Sequence, residues 1–143
     1  KDYKRICQLG MEKVSKNFLK DSYFIIELKL CTVRLIDNSK FPWIILIPRR
    51  KKITDIFQLK KKDQILLMEE IVYASRVMKK IFKSFNLNIE KIGNVVSQLH
   101  IHIIARSKKD ISWPLSVWVA KKKSYNKTKL KKTILKLERF FKA

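Results

Sequence analysis

The chain has two histidines, and they lie two residues apart. Both belong to the run Gln98-Leu99-His100-Ile101-His102-Ile103-Ile104-Ala105-Arg106. Because strand side chains alternate between two faces, Gln98, His100 and His102 share one face. The apolar residues between them share the other face, which must face the core. Imidazole is a good nucleophile and titrates near neutral pH. A histidine within a row of hydrogen-bonding groups therefore suits transfer at phosphorus.

Two other interpretations of this spacing stay open at the level of the residues alone. Two exposed histidines can alternate on a half-buried strand without doing any chemistry. Two histidines at positions i and i+2 can also share a metal ion. However, no Cys, Asp or Glu is near enough in sequence to complete such a site, so no metal ligand is predicted.

The elements that must position this strand follow from apolar spacing and turn residues. A length of 143 residues predicts one domain, residues 1–143. Met11, Val14, Phe18 and Leu19 are spaced as in a short amphipathic helix. Five strands are predicted at 22–28, 31–36, 41–48, 88–92 and 99–105, and two helices at 60–85 and 128–141. One long helix among tightly connected strands predicts an α+β domain with an antiparallel sheet.

Composition excludes some classes of protein. No apolar run reaches the roughly 18 residues that a membrane span needs. The two cysteines, Cys7 and Cys31, have no metal-ligand spacing, and a reducing cytoplasm fits them best. The net charge of +22 resembles a nucleic-acid footprint. Lysine dominates it and is spread along the chain, so drift of an AT-rich genome explains much of it. Specific nucleic-acid binding is the less favoured interpretation.

Three segments in the right order resemble one known family. Residues 93–106 (GNVVSQLHIHIIAR) resemble the signature strand of the histidine-triad (HIT) superfamily, with Gln98 in place of the first histidine. This is similar to a bacterial branch of HIT-like hydrolases, often labelled diadenosine-tetraphosphate hydrolases, in which Gln is usual there. Residues 37–50 resemble the family strand that ends in proline and a basic residue. Residues 110–118 resemble the Trp-Pro-x-x-x-Trp segment, and the likeness covers about 18–141.

The resemblance implies catalytic roles for the histidine strand. His100 holds the place of the histidine that attacks the α-phosphate and forms a nucleotidyl-histidine intermediate. His102 holds the place of the histidine that contacts phosphate oxygens. Gln98 completes the triad, but an amide is no general acid at neutral pH. This favours leaving groups that depart as anions, such as nucleotides or pyrophosphate.

The resemblance also implies nucleotide-binding residues. Asn94 matches a residue that binds phosphate or orients the nucleophile, and Asp37 or Asn38 matches the ribose-binding Asn. Ser97 and Arg106 are further candidates for nucleotide contacts. Each has a structural alternative: Asp37, Asn38 and Asn94 are ordinary turn residues, and Arg106 can end its strand in solvent.

The implied function is a nucleotide hydrolase or nucleotidyl transferase that cleaves at the α-phosphate of a dinucleoside-polyphosphate-like substrate. The alternative is a non-catalytic nucleotide- or RNA-binding module. No cofactor is required, although Mg²⁺ can accompany the substrate. A homodimer is expected, and Trp113 and Trp118 either cap the core or form the dimer contact.

Overall fold

The structure, a computed structural model, describes residues 15–142. The elements within this range are α1 (Lys16–Asp21), β1 (Ser22–Glu27), β2 (Cys31–Ile36), β3 (Trp43–Pro48), α2 (Lys61–Phe82), β4 (Asn86–Lys91), β5 (Ile101–Arg106) and α3 (Lys127–Lys142). Two short 3₁₀ turns lie at Ile56–Gln58 and Val117–Val119.

The five strands form one sheet in the order β1-β2-β3-β5-β4, and every neighbouring pair is antiparallel. Short connections join β1 to β2 and β2 to β3, as antiparallel neighbours allow. The long helix α2 connects β3 to β4, and β5 returns between them. This confirms the predicted α+β class, with a five-stranded antiparallel sheet, one long helix and a C-terminal helix.

The main core lies between one face of the sheet and the two longer helices. Alternate strand residues supply its sheet side, among them Ile44, Leu46, Ile101, Ile103 and Ala105. Helices α2 and α3 cover this face and contribute buried apolar side chains of their own. Leu99, Ile101, Ile103 and Ala105 all lie in this core, which confirms the predicted apolar side of the histidine strand.

The opposite face of the sheet carries two smaller apolar clusters. One joins Phe18 of α1 to Ile45 and Ile47 of β3. The other contains Phe41, Trp43, Ile104 and Val117. His102 lies opposite Ile45 in the β3–β5 pairing, so the histidine strand presents its polar side to this thinly covered face.

Helix α2 is shorter than the spacing predicts, and it has apolar residues on two sides, of which one faces the core. It ends at Phe82, because Lys83 adopts a left-handed conformation with φ 47° and its N–H donates to the Lys79 carbonyl. The apolar residues Ile65, Met68 and Val72 also fit the helical spacing, but they are exposed. The buried stripe is Leu67, Ile71, Ala74, Val77, Met78 and Ile81.

Strand β5 begins two residues later than predicted. The Leu99 N–H donates to the Ile53 carbonyl at 3.0 Å instead of to a neighbouring strand, so pairing starts at Ile101. Met11 and Val14, part of the predicted N-terminal helix, lie outside the described residues. None of the helices within residues 15–142 is long and apolar enough to cross a membrane.

Candidate functional site

Both histidines line an open cavity on the thinly covered face of the sheet. Its volume is about 670 Å³, within the range of small-molecule sites. His102 lies in β5, and His100 directly precedes that strand. The other lining residues are Asn17, Phe18, Asp21, Ile36, Asn38, Trp43, Ile92, Gly93, Asn94, Val95, Val96, Val117, Trp118, Ala120 and Lys122. The cavity is therefore mostly apolar, with a few amide and charged groups.

His100 is held by its own backbone. Its Nδ1 lies 2.7 Å from the carbonyl oxygen of Gln98. A carbonyl oxygen can only accept, so Nδ1 carries the proton and Nε2 is the ring nitrogen with the free lone pair. The Phe18 ring packs edge-on against the imidazole, with ring centroids 4.7 Å apart. The ring is buried and has one defined orientation.

The surroundings of His100 favour its neutral form. Burial lowers the pKa of His100 below its usual range, and the positive charge of Lys91 lowers it further. The hydrogen bond to Gln98 acts in the opposite direction, but burial outweighs it. The lone pair on Nε2 is therefore available at neutral pH.

His102 is buried beside His100, with ring centroids 4.8 Å apart. The indole Nε1–H of Trp43 donates to His102 Nδ1 at 2.9 Å. Burial lowers the pKa of His102 to about 3, with a further contribution from His100. His102 is therefore also neutral at physiological pH.

Gln98 does not join the histidines in the cavity. Its side-chain oxygen accepts a hydrogen bond from the Ser15 N–H at 2.8 Å, and it is not among the residues that line the cavity. The prediction of one shared face for the three residues extends strand alternation to position 98, whereas the strand begins only at Ile101. Gln98 instead ties the start of α1 to the loop before His100.

Two asparagines predicted to bind nucleotide lie at the cavity. Asn94 is exposed on its wall and follows Gly93, whose φ of +75° favours glycine. Asn38 is buried at the cavity, and its side-chain oxygen accepts from the Lys40 N–H at 3.1 Å. Asp37 lies outside the cavity lining, and its carboxylate accepts from the Tyr125 N–H at 2.9 Å. Of the two turn residues, Asn38 therefore reaches the cavity.

Ser97 and Arg106 are not brought to the cavity. Ser97 is exposed on the preceding loop and is absent from the cavity lining. Arg106 is only 1% exposed, so it does not end its strand in solvent. Its guanidinium pairs with Asp110 at 2.8 Å and also donates to Asn88, Ser112 and the Leu115 carbonyl. Arg106 thus ties the loop after β5 to the sheet.

The sequence did not predict that Trp43 and Trp118 pack around His102. Trp43 and Trp118 meet edge to face, with centroids 4.9 Å apart, and Trp118 lies 5.4 Å from the His102 ring. The Trp118 indole N–H donates to Glu90 at 2.9 Å. Trp118 thus caps the cavity rather than the main core. The distance of 59 residues between Trp43 and His102 hides their contact from any local pattern.

The charged groups at the cavity are few. Lys122 and Asp21 line it and lie 3.4 Å apart as an exposed ion pair. Within residues 15–142, no three His, Cys, Asp or Glu side chains are grouped so that they could hold a metal ion.

Comparisons with known proteins show the family of the chain. Residues 17–109 match the family model described as HIT domain. Three crystal structures of histidine triad proteins are similar over nearly their whole length. One from Bradyrhizobium japonicum is 36% identical, covers 92% of this chain and 99% of its own, and gives a TM-score of 0.88.

The second, from Sinorhizobium meliloti, is 32% identical, with 91% and 98% coverage and a TM-score of 0.87. The third, from Marinobacter aquaeolei, is 30% identical, with 93% and 98% coverage and a TM-score of 0.88. No curated protein matches the chain. The family model covers more than half of the sequence, and full-length relatives share the fold at 30% identity or more. The chain therefore belongs to the HIT domain family.

Proposed function

We propose that this protein is a nucleotide hydrolase or nucleotidyl transferase that acts through a covalent intermediate on His100. The observation that carries the proposal is the ring orientation of His100. Its Nδ1–H is bound to the Gln98 carbonyl, which leaves the Nε2 lone pair for attack. A neutral, buried and fixed imidazole on the wall of a nucleotide-sized cavity is what nucleophilic catalysis needs.

The reaction proceeds in two displacements at phosphorus. Nε2 of His100 attacks the α-phosphorus, the N–P bond forms, and the bridging P–O bond breaks, with its electron pair leaving on the departing oxygen. The ring becomes positively charged, and the Gln98 carbonyl stabilises that charge through Nδ1–H. Water then attacks phosphorus, the N–P electrons return to Nε2, and one water proton passes to solvent. An alcohol or phosphate in place of water gives transfer.

The side chains at the cavity favour a phosphoanhydride substrate. Gln98 points to Ser15 rather than into the cavity. Among the described residues that line the cavity, Asp21 is the sole carboxylic acid, and it is exposed and paired with Lys122. Without a buried acid the leaving group must depart as an anion, as a nucleotide or pyrophosphate does. We therefore propose dinucleoside polyphosphates, and the Gln-bearing diadenosine-tetraphosphate-hydrolase-like branch, over phosphoramidates.

The proposed substrate position uses the remaining polar groups. The α-phosphate lies at His100 and His102 with Asn94 beside it, and the ribose lies at Asn38. Aromatic and aliphatic walls that include Phe18 and Trp118 accept the base. Mg²⁺ enters bound to the substrate, and the cytoplasm is the proposed compartment.

The experiment that tests the proposal compares the wild-type protein with the His100→Ala variant on diadenosine tetraphosphate. We expect a mass increase of one nucleotidyl group on the peptide containing His100 after rapid quench in alkaline denaturant, which preserves the acid-labile N–P bond, and loss of nearly all turnover in the variant. Circular dichroism checks that the variant is folded. Turnover by His100→Ala at more than a few per cent of the parent rate excludes the covalent mechanism.

A second candidate function is nucleic-acid binding. It is favoured by the positive charge of α3 and of the segment that precedes it. Residues 121–142 contain ten Lys or Arg and a single acid, Glu138. Ile134, Leu137 and Phe141 turn one side of α3 to the core, so Lys131, Lys132 and Lys136 are exposed together. Lys122, in the segment before α3, lines the cavity.

The two functions are distinguished by binding of single-stranded RNA at several salt concentrations. A binding module should lose affinity steeply with salt, and glutamate at 131, 132 and 136 should weaken it at least tenfold. The matched control places glutamate at 60, 61 and 62, the lysine cluster at the start of α2. Equal, weak effects of both triple variants, together with turnover by the parent, would leave the hydrolase as the function.

We also propose a homodimer through the exposed side of α2. Ile65, Met68 and Val72 form an apolar stripe on the side of α2 away from the core. Together with Glu69, Tyr73 and Arg76 they line a shallow groove. An apolar patch with one acid and one base is suited to meeting a copy of itself.

A further inference from the structure

We propose that Trp43 is a positioning residue that fixes the tautomer of His102. Its indole holds the imidazole with the proton on Nε2, so that His102 offers a neutral N–H donor at the cavity. The tautomer follows from the geometry of this chain alone. Its use in catalysis rests on the proposed function.

The direction of the hydrogen bond decides the tautomer. An indole N–H can donate but cannot accept, and Trp43 Nε1 lies 2.9 Å from His102 Nδ1. Nδ1 must therefore accept and carry no proton, which places the proton of the neutral ring on Nε2. An imidazolium has no acceptor nitrogen, so protonation of His102 would break this bond.

Among the described side chains packed around His102, Trp43 is the one that hydrogen-bonds to Nδ1. Ile45 lies opposite on β3 and offers no side-chain hydrogen bond. Glu90 lies opposite on β4, and one of its carboxylate oxygens accepts from the Trp118 indole. Trp118 touches the His102 ring edge-on. Trp43 itself is 4% exposed and packs in the cluster with Phe41 and Val117, so its indole has little room to turn.

The two histidines thus have opposite tautomers, each set at Nδ1 by a different kind of partner. The Gln98 carbonyl accepts from His100 and frees its Nε2 lone pair, whereas the Trp43 indole donates to His102 and leaves the proton on its Nε2. One ring is prepared to attack phosphorus and the other to donate to a phosphate oxygen. With the other tautomer, His102 would direct a second lone pair at an anionic substrate.

The tautomers can be read without any substrate. Long-range proton–nitrogen NMR correlations on protein labelled with ¹⁵N-histidine distinguish a protonated ring nitrogen from a bare one. The chain has two histidines, so the His100→Ala spectrum assigns both. We expect a bare Nδ1 and protonated Nε2 for His102, and the reverse for His100. A wild-type His102 with its proton on Nδ1 would overturn the proposal, whether or not the protein turns over nucleotides.

Two matched variants test whether the Trp43 N–H sets the tautomer of His102. Trp43→Phe keeps an aromatic ring and removes the N–H, and should shift His102 to a mixture of tautomers. Trp118→Phe removes the other indole in contact with His102, but that N–H binds Glu90, so the wild-type tautomer should persist. An unchanged His102 spectrum in Trp43→Phe, or an equal change in Trp118→Phe, contradicts the assigned role.

If the protein hydrolyses nucleotides, Trp43→Phe should lower kcat about tenfold to a hundredfold with little change in KM. A donor that strengthens in the transition state affects kcat more than substrate affinity. A larger effect on KM than on kcat would show that Trp43 serves only to shape the cavity. Absence of turnover in the wild type would refute the proposed function and leave the tautomer result standing.

Discussion

At the scale of single residues, the pKa of His100 sets the expected pH dependence of the reaction. Burial and Lys91 lower that pKa below the ordinary value of 6.5. Attack needs the neutral ring, so kcat/KM should stay level as the pH falls through 6.5 and decrease only at lower pH. A pH profile of kcat/KM between 4.5 and 8 measures this. A decrease centred at 6.5 or above would mean that the nucleophile is not the buried, neutral His100.

A Lys91 variant tests whether burial or the nearby positive charge is the main cause of the lowered pKa of His100. Its ammonium is ion-paired with Asp55 at 2.6 Å, and it is a smaller influence on His100 than burial. Lys91→Gln should therefore move the acid limb of the profile slightly upward. A shift of the whole limb to the ordinary histidine value would assign the lowering to charge rather than to burial.

Gln98 carries the second residue-scale prediction. Its side chain accepts from Ser15 and holds the start of α1, which places Phe18 against His100. Gln98→Ala should speed amide hydrogen exchange across Lys16–Asp21 and raise KM more than it lowers kcat, because its backbone carbonyl still orients His100. Ser97→Ala, on the same loop but exposed, should leave the exchange rates unchanged. A large loss of kcat with normal exchange would instead give the Gln98 amide a direct part in chemistry.

The site shows what local sequence patterns can and cannot predict. The alternation of polar and apolar residues correctly placed Ile101, Ile103 and Ala105 in the core, because two residues per repeat is a property of the strand itself. The same rule was wrong for Gln98, which precedes the paired segment. The contact of Trp43 with His102 joins β3 to β5, and only the pairing of distant strands creates it.

At the scale of elements, the connection between β1 and β2 depends on a buried carboxylate. Glu70 of α2 accepts from the backbone N–H groups of Leu30 and Cys31, at 2.9 and 2.8 Å. Both donor residues are fully buried in the core, out of contact with solvent. Burial raises the pKa of the Cys31 thiol, and the Glu70 carboxylate raises it further. The Glu70 side chain therefore joins α2 to the sheet and provides hydrogen-bond acceptors for both backbone N–H groups of the turn.

Glu70→Gln should cost about 2 kcal/mol of unfolding free energy, because the amide can accept from one N–H but sets a donor against the other. Urea denaturation measures the cost, and the slope of the transition should not change. Glu138→Gln on α3 makes the same chemical change away from this turn and should cost much less. Equal stability of the two variants would mean that the turn is held by other contacts.

Element boundaries were harder to predict than element types. The α2 helix has two apolar sides, one through Leu67, Ile71 and Ala74 and the other through Ile65, Met68 and Val72. Both fit the helical repeat, so spacing alone predicts a helix without showing which side faces the sheet. Its end at Phe82 depends on Lys83, a left-handed residue that is not glycine, and the sequence contains no strong signal for that.

At the scale of the whole molecule, the proposed dimer explains why α2 keeps a second apolar side. Glu69 and Arg76 lie on this side, seven residues apart, with Val72 and Tyr73 midway between them. Seven residues are close to two helical turns, so the two charges lie in line along the helix. If two copies of α2 pack antiparallel about a two-fold axis near Val72, Glu69 of one copy meets Arg76 of the other.

This pairing predicts that two charge reversals, each of which disrupts the dimer alone, restore it when they are combined. Glu69→Arg and Arg76→Glu each place like charges across the two-fold axis, so each single variant should sediment as a monomer at micromolar concentration. The double variant restores opposite charges with their positions exchanged, and it should sediment as a dimer like the wild type. Lys109→Glu on the loop after β5 changes the net charge as much as Arg76→Glu does, and should leave the mass unchanged. Recovery in the double variant requires that the two residues meet across the interface, because a general effect of charge or stability would make the double variant no better than the singles. A wild-type protein that sediments as one chain, with and without nucleotide, would reject the dimer.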